Sequence, residues 1–94
     1  MKKRARSDFS KRLKKNRETL DVLDRKLLTL LNQRLRIALE IGKFKKEMGK
    51  KIYDPKREKE VLKKLKSKNK GPLKEEDLKK VFTTIMKVCR KSQI

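Results

Sequence analysis

From Arg17 to Met48 the apolar residues return at alternating steps of three and four: Leu20, Leu23, Leu27, Leu30, Ile37, Ile41, Phe44 and Met48. That repeat keeps a stripe on one face of an α-helix. A single charged residue stands in the seam, Arg34, between Leu30 and Ile37. A second stripe of Leu28, Leu31, Leu35, Ala38 and Gly42 runs beside the first, so the apolar face is wider than a surface helix needs and should be covered on two sides. A helix from about Ser10 to Gly49 would be roughly 60 Å long at about 1.5 Å per residue. A compact domain of about 100 residues has a radius of gyration near 13 Å. The rest of the chain is too short to sheathe such a rod, and two long helices laid together in an obligate homodimer are the simplest cover.

The punctuation after this stretch predicts two further helices. Gly49 suits the left-handed turn beyond a helix C-terminus, and Lys45, Lys46, Lys50 and Lys51 complement the negative end of the dipole. Past a loop at Ile52 and Tyr53, Asp54-Pro55 reads as an N-cap followed by proline at the first helical position, opening a helix that runs to about Lys68. Asn69-Lys70-Gly71-Pro72 breaks the chain again. A third helix starts near Leu73 or Lys74, with Glu75, Glu76 and Asp77 at its positive end and Lys87, Arg90 and Lys91 at its negative end. Its buried stripe is Leu78, Val81, Phe82, Ile85 and Cys89. The predicted fold is all-α, three helices in a single domain over residues 1–94, intertwined as a homodimer. Residues 1–9 form a basic, frayed extension, and Ser7 or Ser10 is a candidate cap for the first helix.

Composition sharpens the picture at three points. Hydrophobic residues are 34% of 94, little for a chain that must close a core alone, and oligomerisation would relieve that shortage. Lys+Arg 32 against Asp+Glu 12 leaves a net charge of +20, so the partner is an anion: nucleic acid, anionic lipid or a small acidic metabolite. A charged fraction of 47% leans towards a hot environment, where ion-pair networks are favoured. The one cysteine, Cys89, allows no intrachain disulfide, and the lack of histidine removes His-based triads and Cys/His zinc sites. No apolar run reaches the 18 or so residues of a membrane span. The expected location is the cytoplasm. The segment from Met1 to Lys15 reads either as a phosphate-binding arm or as a solvated helix end.

Periodicity turns four polar residues inward: Arg34, Lys45 about three turns along the same face, Glu58 on the face of Leu62 and Leu65, and Gln93 four residues beyond Cys89. Each has an ordinary explanation. Arg34 can fix the register of a coiled coil, Glu58 can pair with Arg57, Arg34 or Lys45, and Gln93 can sit in a frayed end. Together they put two cations, an acid and a neutral donor in one bundle, which suits a small dianion carrying a hydroxyl group. They supply no nucleophile with an adjacent base. Such a site can still accelerate a reaction by orienting its substrate and placing donors where negative charge develops.

The run RETLDVLDRKLLTLLNQRLRIALEIGKFKKEMGKKIYDPKREKEVLKKL resembles the all-helical class of chorismate mutases. The likeness extends from about Arg17 to Gln93 and rests on the ordered set Arg17, Arg34, Lys45, Asp54, Arg57, Glu58 and Gln93. The stretch NKGPLKEEDLKKVFTTIMKVCRKSQ is similar to the third helix of mutase domains fused to prephenate dehydratase, which leaves fusion or association with another aromatic-pathway enzyme open. The resemblance implies a pericyclic rearrangement of chorismate to prephenate with no cofactor and no metal, in a dimer wrapped through its first helices. It implies that Arg34 and Arg17 of the partner subunit grip the two carboxylates, that Asp54 and Arg57 organise the site near the loop, and that Lys45 and Gln93 donate to the ether oxygen. Glu58 would accept from the ring hydroxyl, and Cys89 stands where many members carry serine. The alternative is a basic helical dimer on nucleic acid; for it the charge argues, but no recognised motif does, and the aromatics are only Phe9, Phe44, Tyr53 and Phe82. With the mutase reading, nucleic-acid binding would be weak and non-specific.

Overall fold

The computed structural model describes residues 2–94, with side chains from Arg6 onward; the basic side chains of Lys2, Lys3 and Arg4 lie outside what is described. Three helices follow one another, α1 (Lys2–Glu47), α2 (Pro55–Lys68) and α3 (Glu75–Ser92), with no strand among the described residues. The residues fall into two compact units, one ending at Asn32 and one running from Gln33 to Ile94.

The first unit is helical throughout. Ser7 and Ser10 lie inside α1, so neither caps it, and the helix begins ahead of the predicted start near Ser10. The reason is local: the leading segment KKRARSDFSKRLKK holds no glycine or proline, and eight of its fourteen residues are Lys or Arg, both good helix formers. Thr19 and Thr29 donate their hydroxyls back to the carbonyls of Lys15 and Arg25. Leu20, Leu23, Leu27, Leu28, Leu30 and Leu31 are all exposed, Leu27 by 56%.

The second unit holds the end of α1, α2, α3 and their two loops. α1 closes in a Schellman turn, with Lys50 N–H donating to Lys45 O at 2.7 Å and Gly49 N–H to Lys46 O at 3.2 Å. Gly49 takes φ +67°, the left-handed conformation predicted for it. Asp54 caps α2: its Oδ1 accepts from Arg57 N–H at 3.0 Å, with Pro55 at the first helical position. Asp54→Ala is expected to remove about 0.5–2 kcal/mol of stability, read as a lower denaturant midpoint with an unchanged slope.

The small core differs from the predicted stripe at one position. Ala38, Leu78, Met86 and Cys89 are buried, while Phe82 and Ile85 are half-buried. Val81 is 49% exposed, and Met86 stands in its place. Successive turns drift because 3.6 residues do not divide into steps of three and four, so 78, 82, 85–86 and 89 stay on the packed face and 81 slides to its edge. On α1 the inner stripe meets its own chain at Ala38 and Gly42, whereas Ile37, Ile41, Phe44 and Met48 stay exposed.

Candidate active site

The end of α1, the loop after it, α2 and α3 enclose a cavity of about 170 Å³ in the second unit. Arg34, Lys45, Asp54, Arg57, Glu58 and Gln93, six of the residues singled out from the sequence, line it together with Arg90. A larger concavity of about 580 Å³ between α2 and α3 is edged by Lys59, Lys63, Lys66 and Lys79 around Leu62 and Leu78. The smaller cavity is the candidate site, because polar groups from three elements converge on it and its lining holds Gln93, whose Oε1 is buried without a partner.

Each side chain reaches the cavity for a local reason. Lys45 is on the last turn of α1, and the Schellman turn brings the following loop back over it, so Nζ donates to Ile52 O at 2.8 Å. An ammonium has three donors, and two remain for a ligand. Arg34 lies three turns earlier, half-buried, its Nη1 3.2 Å from Cys89 Sγ. This bond between α1 and α3 orients the guanidinium and leaves most of its donors unused. Glu58, in the first turn of α2, accepts from Arg90 Nη1 at 2.7 Å through Oε2. Asp54 lines the cavity while its carboxylate caps α2, and Arg57 turns outward to Glu60 at 3.2 Å. Lys64 and then Arg57 hold the Glu60 carboxyl below the usual carboxylate range.

Gln93 ends α3 with helical backbone angles, its N–H donating to Arg90 O, and its side chain is pressed on α1 at Gly42. A Cβ built at Gly42 would fall 2.8 Å from Gln93 Cγ, closer than real side chains approach. Gly42 is therefore what admits the glutamine. Gln93 Oε1 is buried with no hydrogen-bond partner, a state that typically costs about 1–3 kcal/mol until a polar group arrives. Turning the carboxamide over exchanges this oxygen for an N–H₂ donor.

The family model for chorismate mutase type II matches residues 16–94. The chain belongs to that family. It is 36% identical over 74 residues to the bifunctional chorismate mutase/prephenate dehydratase of Neisseria gonorrhoeae, an alignment covering 79% of this chain and 20% of that protein. The chain spans about a fifth of the length of the curated relatives it matches. Among solved structures it is similar to chorismate mutase (form II) from Thermus thermophilus, with TM-score 0.86 and 38% identity over 87% of this chain and 93% of that one. It is also similar to the chorismate mutase of Helicobacter pylori solved in complex with prephenate, with TM-score 0.80 and 42% identity over 86% of this chain and 88% of that one. The all-helical, three-helix architecture is that of these chorismate mutases.

Two of the sequence-derived site residues stand apart from the cavity lining. Cys89 is buried behind the cavity, where it receives Arg34, and Arg17 lies exposed on α1 in the first unit. Arg90 and Met86 belong to the lining and were not among the predicted site residues. Arg90 reads from sequence as a cation at the negative end of a helix dipole. The spacing that would have found it is Met86, Arg90 and Gln93, a four-then-three step that puts all three on one face.

Proposed function

We propose that this chain rearranges chorismate to prephenate. The observation that carries the reading is the charge balance of the cavity, where, with Arg57 turned outward to Glu60, Arg34, Lys45 and Arg90 stand against two carboxylates, Asp54 and Glu58. The excess of one positive charge suits one carboxylate of a dicarboxylate held within this chain. In the reaction an ether C–O bond breaks as a C–C bond forms within one molecule, so no group on the protein need attack or be covalently modified. What helps is holding the reactive conformation and stabilising charge that builds on the ether oxygen. Lys45 and Gln93, in this reading, donate to that oxygen, Arg34 grips one carboxylate, and Glu58 accepts from the ring hydroxyl. Loss of chorismate absorbance on adding the purified protein, with prephenate identified as product, tests it; unchanged chorismate would overturn it. The nucleic-acid alternative draws on the charge alone, and an anionic substrate accounts for the sign equally well.

The second carboxylate needs a further cation, and we assign it to Arg17 of the partner subunit in a homodimer. The exposed stripe of α1 supports the dimer, since Leu23, Leu27, Leu30, Ile37 and Phe44 would otherwise face water. Light scattering should give the mass of two chains at micromolar concentration; a folded single chain would remove the arrangement.

Gly42→Ala is expected to lower kcat by roughly the factor lost on deleting the Gln93 amide, up to about 10²–10³, because the added methyl displaces Gln93. The helix itself should tolerate the change, alanine being the better helix former by about 1 kcal/mol. Steady-state rates with a thermal unfolding midpoint separate the two effects. A normal kcat would mean that Gln93 shifts without consequence.

A further inference from the structure

Arg90 counts in the charge of the cavity but has no contact with the substrate assigned to it above, yet three elements meet on its guanidinium. Its Nη1 lies 2.7 Å from Glu58 Oε2 on α2, in a pair whose side chains are only 27% and 23% exposed. Its Cζ lies 4.2 Å from the centroid of the Tyr53 ring in the loop between α1 and α2. Tyr53 takes one face of the guanidinium, a cation–π contact, and the carboxylate takes an edge. Among the described residues Glu58 has no other cation partner: Arg57, its neighbour in sequence, is bonded to Glu60 instead. The pair occupies Oε2 and leaves Oε1 bonded to nothing among the described residues.

This division of the two oxygens matters for the proposed chemistry. A glutamate side chain has three rotatable bonds, and a free one must be ordered each time a hydroxyl docks on it. Holding Oε2 settles that order before the substrate arrives. We infer that Arg90, braced on the Tyr53 ring, is a positioning residue that fixes the Glu58 carboxylate as acceptor for the substrate hydroxyl. The inference rests on the function proposed above. It assigns Arg90 an action through Glu58, which holds its Nη1, with Tyr53 against one face of the guanidinium; the remaining N–H donors leave a direct contact with the substrate as the competing role that the test below separates.

The test is a double-mutant cycle on the intact protein, with kcat and KM for chorismate measured for Arg90→Met, Glu58→Gln and the double variant, and a thermal unfolding midpoint for each. Arg90→Met should lower kcat/KM by about tenfold or more, while Arg90→Lys, which keeps a cation beside Glu58, should recover most of the loss. Glu58→Gln keeps an accepting amide oxygen and hence a measurable rate. In that background Arg90→Met should cost less than about twofold, since the group it acts through has already been changed. An equal loss in both backgrounds would overturn the inference and mark Arg90 as a substrate contact or a purely structural residue. No loss in the single variant would overturn it too. If Arg90→Met fails to fold, Tyr53→Leu takes its place: a smaller loss that also vanishes in the Glu58→Gln background supports the bracing, and an equal loss in both backgrounds refutes it. A wild-type chain without activity on chorismate would remove the proposed function and this role with it, whereas an active chain with additive variants removes only the role of Arg90.

Discussion

Lys45→Ala is expected to lower kcat by at least roughly 10²–10³-fold, the cost typical of losing one donor aimed at a developing oxyanion, with a smaller change in KM. The variant removes a charge as well as a donor, so its loss should equal or exceed that of Gln93→Ala. The Lys45 bond to Ile52 O holds Nζ at the cavity while leaving two donors free, and in a partly enclosed site each is worth more than in water. Because the ether oxygen gains charge only as its bond breaks, the interaction strengthens on the way to the transition state and appears in kcat. Steady-state kinetics decide the matter. An unchanged kcat with a lower unfolding midpoint would show that Lys45 only anchors the loop at Ile52.

Separate Arg17→Ala and Arg34→Ala homodimers are each expected to be nearly inactive, and unfolding and refolding them together should restore roughly a quarter of wild-type activity if sites act independently. In the proposed dimer every site of either variant would lack one carboxylate clamp and the orientation it fixes. In a mixed dimer, the site built on the Arg17→Ala chain keeps its own Arg34 and receives an intact arginine from the partner, so it is whole; the other site lacks both. Equal amounts pair at random into about half mixed dimers, each with one whole site of two. The contrast between the two arginines is already visible in one chain. Arg34 lines the cavity and is fixed by Cys89 Sγ, whereas Arg17 lies exposed in the other unit. If refolded wild-type protein regains full activity and the mixture stays at the level of the separate variants, Arg17 does not cross between subunits.

By itself, the sequence determined what depends on neighbours along the chain. The α2 start at Asp54-Pro55 and the Gly49 turn follow from bonds within five residues, and both were legible as residue types at fixed offsets. Arg34, Lys45, Glu58 and Gln93 were legible as inward residues because helical periodicity sorts a chain into faces without reference to what lies opposite. The start of α1 lies ahead of the expected one because candidate caps at Ser7 and Ser10 were weighed above the high helix propensity of the basic segment. Tertiary structure alone decided who meets whom across the site. Glu58 had Arg57, Arg34 and Lys45 as candidate partners by sequence; it pairs with Arg90, 32 residues away, while Arg57 goes to Glu60. Arg34 meets Cys89 across 55 residues, and Gln93 fits only because Gly42 opposite it has no side chain. Periodicity fixes the azimuth of a residue on its own helix, but the angle and offset at which two helices cross come from how their ridges and small residues interlock. That packing is a property of pairs of faces, so it selected one partner from several that the sequence left equivalent.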